Sequence, residues 1–140
     1  MLEIMLNKQK ELQNKLSEKN KSLKLENLKT LGEKLDYLVY TKMAFDDEFR
    51  ETIDALAGTN KSQKERSSLW KKWKSDNEKI RSIKFEDLSE KELKDLKFEV
   101  TDMFCFFLNM LLVLNINAEE LFSYYNLKTS ENNKRINNNY

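Results

Sequence analysis

The sequence contains no proline and no histidine, and only two glycines, Gly32 and Gly58, among its 140 residues. Sheets and hairpins need turn residues of these kinds between strands, so their scarcity argues against a β fold. A single cysteine, Cys105, excludes a disulfide framework, and a zinc site is not expected without histidine or a second cysteine. We therefore expect an all-α protein of a reducing compartment, the cytoplasm.

Long apolar runs and an excess of one charge are also absent. The most apolar segment, residues 103–114, is broken by Asn109 and falls well short of the ~20 residues that span a bilayer. The N-terminus does not begin with basic residues followed by an apolar segment, so we do not expect a secreted protein. The 25 Lys and Arg residues balance 24 Asp and Glu residues, so the charge gives no reason to expect a nucleic-acid binder. We expect neither a membrane nor a nucleic acid as partner.

Apolar residues that recur at three- and four-residue steps predict about five helices in a single domain spanning residues 1–140. The sequence Ser89-Glu-Lys-Glu92 has the pattern of a capping box, in which a serine and a glutamate bond each other's backbone N–H groups. Asn117-Ala-Glu-Glu120 resembles another helix start. The predicted helices are Leu2 to Glu18, Leu25 to Gly58 with a break or kink near Gly32, Glu90 to Leu114, Asn117 to Tyr125, and a last one capped by Ser130.

Two pairs of carboxylates share the same spacing, Glu48 with Glu51 and Glu99 with Asp102. An i, i+3 spacing places both members of a pair on one helix face, so two such helices packed together would converge four acids. Hard divalent cations such as Mg²⁺ relieve the repulsion between them. The first pair could instead lie on a solvated face. Asp102 adjoins the apolar segment, so we expect it to need a cation, a hydrogen-bond donor or an ion pair with Arg50 or a lysine.

Three further segments suggest contact with a ligand. Gln9 interrupts the apolar stripe of the first helix, either at its border or as an amide directed into a pocket. The basic segment Trp70-Lys-Lys-Trp73-Lys74 is expected to face a negative group. The Asn-rich residues 132–140 are expected to be loose without a ligand.

The order of these segments resembles the dimeric all-α dUTPases, which share a superfamily with the MazG-type nucleoside triphosphate pyrophosphatases. In that family the two carboxylate pairs hold Mg²⁺ against the triphosphate, so the resemblance implies Glu48, Glu51, Glu99 and Asp102 as magnesium ligands. The family also has a tail with the spacing Lys, Asn, Arg and Tyr, which is matched here by Lys128, Asn132, Arg135 and Tyr140. The resemblance further implies a homodimer.

The activity that this resemblance implies is Mg²⁺-dependent hydrolysis of dUTP to dUMP and pyrophosphate, with Glu48 activating the water that attacks the α-phosphorus. By the same resemblance residues 128–140 form a mobile tail that closes over the nucleotide. The resemblance also implies the residues that contact the substrate. They are Gln9 and Asn109 for the base region, Trp73 and Lys74 beside the site, and Lys128, Asn132, Arg135 and Tyr140 in the tail. The connection between Leu56 and Ser68 looks longer than in the family. Alternatives are a pyrophosphatase for dCTP or noncanonical nucleotides, and a helical interaction module without a metal.

Overall fold

The computed structural model describes residues 1–58 and 62–138, and within these ranges the chain is helical and contains no strand. The predicted all-α class is therefore confirmed. The α-helices are α1 (Leu2–Asn20), α2 (Leu31–Leu56), α3 (Gln63–Arg66), α4 (Glu78–Arg81), α5 (Glu90–Val113) and α6 (Ala118–Asn137). Single 3₁₀ turns lie at Leu25–Asn27, Ser75–Asn77 and Phe85–Asp87.

Two helices begin where their capping boxes predict. At α5 the Ser89 N–H donates to Glu92 Oε2 at 2.9 Å, and Ser89 Oγ accepts from the Glu92 N–H at 3.3 Å. At α6 the same reciprocal bonds join Asn117 and Glu120, at 3.0 and 2.9 Å. These bonds satisfy backbone N–H groups that have no partner inside the helix, and they fix the first residue of each helix.

The predicted start of the second helix near Leu25 is wrong. Residues Leu25–Asn27 form a separate 3₁₀ turn, and α2 begins at Leu31. A capping box explains this start, because Glu33 Oε2 accepts from the Thr30 N–H at 2.8 Å while Thr30 Oγ1 accepts from the Glu33 N–H at 3.2 Å. Gly32 therefore lies in the first turn of α2 and breaks no helix.

The predicted end of α6 near Tyr125 and the cap at Ser130 are also wrong. α6 continues without interruption to Asn137, so Ser130 lies inside the helix. Neither glycine nor proline occurs between Ala118 and Asn137, and the bond between Glu131 and Arg135 supports one face of the last turns. The described part of the predicted tail is thus helical, and its closure over a nucleotide stays a prediction.

The chain divides into two compact units, and the first comprises Met1–Leu38 with Leu108–Tyr140. Five of its apolar side chains are buried and form its core. They are Leu6, Leu25, Leu108, Leu111 and Val113. The Lys34 ammonium donates to the carbonyl oxygen of Val113 and ties the start of α2 to the end of α5.

The second unit, Val39–Phe107, contains both predicted carboxylate pairs. Within it α2 and α5 meet at Thr52, whose hydroxyl lies 2.9 Å from the Glu48 carbonyl oxygen and 3.2 Å from the Met103 sulfur. The connection after α3 is fixed by two buried polar residues, Ser68 and Asn77, whose side chains lie 3.0 Å apart between Oγ and Oδ1. Buried polar groups cost free energy unless paired, so this bond anchors the segment.

Among the described residues, none of the helices taken singly has the length and apolar character to cross a membrane. The bent pair formed by α5 and α6 passes that test jointly, by length and composition only.

Of the two glycines, Gly58 should tolerate substitution less well. It is buried with a φ of 86°, and a Cβ there would collide with the carboxylate of Glu92, which the cap of α5 holds in place. We expect Gly58→Ala to lower the free energy of unfolding by at least about 1 kcal/mol, because alanine is also strained in this left-handed conformation. Urea denaturation measures this loss.

Gly32→Ala is the matched control. In the first turn of α2 its Cβ would meet nothing nearer than Thr30 Oγ1 at 4.0 Å. Alanine should raise the free energy of unfolding there by up to about 1 kcal/mol. Equal effects of the two substitutions would contradict this account of Gly58.

Candidate metal centre and active site

Three of the predicted metal ligands converge within the second unit. Glu48 and Glu51 come from α2 and Glu99 from α5, and each offers a carboxylate oxygen within 4.8 Å of the other two. Glu48 and Glu99 are partly buried, whereas Glu51 is exposed. The i, i+3 spacing places Glu48 and Glu51 on the helix face that meets α5. The structure therefore brings together acids that lie some fifty residues apart in the sequence.

The electrostatics of this cluster favour a bound cation. Desolvation, followed by the charges of Glu51 and Asp102, raises the pKa of Glu48 above its ordinary value. Desolvation and the same two neighbours also raise the pKa of Glu99. Both shifts mean that the ionised carboxylates are held at a cost, which a divalent cation between them would remove. An all-oxygen carboxylate set suits hard ions such as Mg²⁺, so the residues present fit the predicted metal.

Asp102 lies outside this three-residue cluster. It is exposed on α5, one turn beyond Glu99, so its position beside the apolar segment does not force it to have a partner. None of the ion pairs in the described part of the chain involves Asp102, and Arg50 pairs with Asp47 at 2.9 Å instead. Its charge nevertheless raises the pKa of Glu48 and of Glu99. The role of Asp102 as a metal ligand stays a prediction.

An open cleft of about 360 Å³ begins at the acid cluster. Its lining residues come from α2, α3 and α5: Arg50, Glu51, Asp54, Ala55, Gln63, Arg66, Asp95 and Glu99. Asp54, Gln63 and Arg66 are not among the residues predicted from the sequence. Asp54 had a signal, because it continues the three-residue spacing of Glu48 and Glu51. Gln63 and Arg66 had none, since they reach the cleft only through the path of the connection after α2.

Trp73 and Lys74 belong to the same unit but do not line this cleft. Trp73 is 71% exposed, and its ring packs edge-on against Trp70 with ring centres 5.4 Å apart. Lys74 is exposed as well. Their predicted contacts with substrate stay predictions.

Gln9 and Asn109 form a buried pair in the first unit. Gln9 Nε2 donates to Asn109 Oδ1 at 2.9 Å, and the two residues are 6% and 3% exposed. Gln9 therefore does not lie at the border of the apolar stripe. This bond leaves the Gln9 carbonyl oxygen as an acceptor and the two N–H groups of Asn109 as donors.

The predicted tail residues Lys128, Asn132 and Arg135 lie along one face of α6, three to four residues apart and exposed. Glu131 lies between them and accepts from Lys128 Nζ at 2.7 Å and from the Arg135 guanidinium. The hydrogen bond from Lys128 and the charge of Arg135 lower the pKa of Glu131. Binding of phosphate by these cations would have to displace Glu131. Tyr140 lies outside the described residues.

Comparison with known proteins finds curated relatives that match nearly the whole of this chain. The chain is 35% identical over 140 residues to the dCTP pyrophosphatase of Enterobacteria phage T4, covering 99% of this chain and 82% of the relative. It is 36% identical over 141 residues to the dCTP pyrophosphatase of Enterobacteria phage LZ5, with the same coverage. This chain belongs to the phage dCTP pyrophosphatase family. A DNA replication protein of phage T4 is 36% identical over 128 residues, which are 91% of this chain and 33% of that protein.

No family model and no solved structure matches the chain. Membership of the dCTP pyrophosphatase family supports the predicted nucleotide pyrophosphatase class. It does not confirm the dUTPase assignment, and the dCTP alternative fits the relatives better than dUTP does.

The acid cluster predicts that one neutralising substitution has opposite effects with and without metal. In EDTA, Glu48→Gln should raise the melting temperature by a few degrees, because relieving repulsion between partly exposed carboxylates is worth up to about 1 kcal/mol. With Mg²⁺ the wild-type protein should gain stability and the variant little, because a ligand has been lost. Thermal unfolding in the two buffers measures both effects.

Asp36→Asn is the control, since Asp36 is an exposed acid of α2 outside the cluster. It should leave the gain from Mg²⁺ unchanged. An equal Mg²⁺ gain in wild-type protein and Glu48→Gln would rule out Glu48 as a metal ligand.

Proposed function

We propose that this chain hydrolyses a pyrimidine deoxynucleoside triphosphate, dCTP first and dUTP second, to the monophosphate and pyrophosphate. The observation that carries the proposal is the convergence of Glu48, Glu51 and Glu99 at the edge of an open cleft. The names of the relatives support dCTP, whereas the spacing of the tail residues supports dUTP.

Glu48, Glu51 and Glu99 would hold the metal, and Asp102 would join them from one turn along α5. A triphosphate is itself strongly negative, so an acidic site binds it only when cations lie between the two. Bound Mg²⁺ would neutralise the phosphate oxygens and acidify a water molecule. The ligand set proposed here agrees with the all-oxygen chemistry of the cluster.

Glu48 is assigned the role of general base. It would accept a proton from the attacking water while the water oxygen forms a bond to the α-phosphorus. The bond between that phosphorus and the bridging oxygen then breaks, and pyrophosphate leaves with the electron pair. The basic side chains Lys74, Lys128 and Arg135 are assigned to the phosphate oxygens, with Asn132 beside them, because the resemblance implies these contacts. Trp73 and Tyr140 keep the substrate contacts predicted for them.

Gln9 and Asn109 are assigned to the base. Their mutual hydrogen bond leaves the Gln9 oxygen as an acceptor and the Asn109 amide as a donor. At ring positions 4 and 3 cytosine presents a donor and an acceptor, whereas uracil presents an acceptor and a donor. Rotation of the two amide groups would therefore exchange the preference. This chemistry explains why a family of one architecture could contain enzymes for both nucleotides.

A homodimer remains part of the proposal. Several large apolar side chains of α6 are at least 65% exposed, among them Phe122, Tyr125 and Leu127. Exposed apolar side chains on one helix are typical of a surface that a second protein covers. The molecular mass measured in solution distinguishes a monomer from a homodimer.

The substrate assignment predicts a ranking of nucleotides. Pyrophosphate release should be fastest from dCTP, slower from dUTP and weakest from dTTP and UTP. It should vanish in EDTA, and Glu48→Gln should reduce it by at least about a hundredfold while the protein stays folded, because the base and a metal ligand are lost together. A pyrophosphate-release assay with the four nucleotides measures the ranking.

Dominant release from dUTP would reverse the ranking and restore the dUTPase interpretation. Equal release from all four would indicate a general nucleotide pyrophosphatase. No pyrophosphate release from any nucleotide with Mg²⁺ present would contradict the proposed enzymatic activity and favour an interaction module.

A further inference from the structure

We propose that Arg66, which α3 delivers to the cleft beside the acid cluster, binds the phosphates of the substrate. This inference rests on the proposed function and deepens it, because it gives the long connection between Leu56 and Ser68 a role in holding polyphosphate. Neither the carboxylate pairs nor the tail motif lies in this connection, so the sequence assigns no substrate contact to it.

The cleft contains two arginines that differ in their partners. The Arg50 guanidinium forms three ion pairs. Its nitrogens lie 2.9 Å from Asp47, 3.6 Å from Glu51 and 3.7 Å from Asp54. Arg66 lines the same cleft, yet none of the ion pairs among the described residues includes it. Its Nε is buried and has no hydrogen-bond acceptor. A buried, unsatisfied guanidinium nitrogen costs free energy, so this arrangement suits a group whose acceptor arrives with a ligand.

Hydrogen bonds fix the backbone position of Arg66. α3 is capped by Ser62 and Glu65, with the Ser62 N–H donating to Glu65 Oε2 at 2.9 Å. The Arg66 N–H donates to the Ser62 carbonyl at 3.0 Å. Directly after it, the hydroxyl of the buried Ser68 lies 3.1 Å from the Glu65 carbonyl oxygen and 3.0 Å from Asn77 Oδ1. These bonds hold the backbone on both sides of Arg66.

The charges of the cleft indicate what this arginine would bind. Four acids line the cleft, Glu51, Asp54, Asp95 and Glu99, and one Asp54 oxygen is buried without a partner. A free anion would be repelled there, whereas a polyphosphate carrying divalent cations would place metal against the acids and leave phosphate oxygens facing Arg66. A planar guanidinium fork matches two such oxygens. The volume of about 360 Å³ falls at the small end of ligand clefts.

The test measures binding of inorganic triphosphate with Mg²⁺ by titration calorimetry, together with the kinetics of dCTP. We expect Arg66→Ala to weaken triphosphate binding by about tenfold or more, because a charge-assisted hydrogen bond is lost. Arg66→Lys should recover part of the affinity, since it keeps the charge and loses the fork. The gain in melting temperature from Mg²⁺ alone should be unchanged in both variants, which shows that the fold and the metal ligands are intact.

Lys64→Ala is the matched control. Lys64 carries the same charge on the same short helix and is exposed, but it does not line the cleft. Its loss should change triphosphate affinity by less than twofold, which separates a specific contact from a general loss of positive charge.

Arg66→Ala with wild-type triphosphate affinity would overturn the proposal, and so would equal losses in Arg66→Ala and Lys64→Ala. If wild-type protein and Arg66→Ala turn over dCTP with the same kcat/KM, the proposed function stands and the role of Arg66 fails. If no nucleotide is hydrolysed, the proposed function fails, and triphosphate affinity still decides whether Arg66 binds phosphate.

Discussion

Repulsion among Glu48, Glu51 and Glu99 is the constraint on which the second unit depends. Three carboxylate oxygens within 4.8 Å of one another oppose folding unless a cation accompanies them, and desolvation adds to that cost at Glu48 and Glu99. Proteins keep such arrangements where function requires them. The Thr52 hydroxyl, 3.2 Å from the Met103 sulfur, is one contact that brings α2 and α5, the helices that carry the acids, together.

Local sequence signals predicted the elements that carry the acids. The caps at Ser89 and Asn117 fixed the starts of α5 and α6, because a capping box involves only four neighbouring residues. At α2 the apolar stripe begins upstream of the equivalent box at Thr30, so periodicity alone predicts too early a start for this helix. The end of α6 was harder to predict, because helix-stabilising side-chain pairs such as Lys128 with Glu131 continue through a polar segment that has no apolar stripe.

The site was predictable to the extent that it depends on helix periodicity. The i, i+3 spacing shows that Glu48 and Glu51 share a face, and a second acidic pair shows which helix meets it. Sequence could not show that Asp102 faces solvent, that Gln9 bonds Asn109 across a hundred residues, or that Arg66 reaches the cleft, because these depend on how separate segments pack. Substrate choice was the least predictable feature, since cytosine and uracil differ only in the order of one donor and one acceptor.

The most direct test of a metal site at these three carboxylates is anomalous diffraction from crystals grown with Mn²⁺ as a stand-in for Mg²⁺. We predict an anomalous peak in contact with oxygens of Glu48, Glu51 and Glu99, at about 2.0 to 2.3 Å from them. The same peak should disappear in Glu48→Gln crystals or lose occupancy there. A protein that binds Mn²⁺ elsewhere, with no peak between these three side chains, would contradict the central claim.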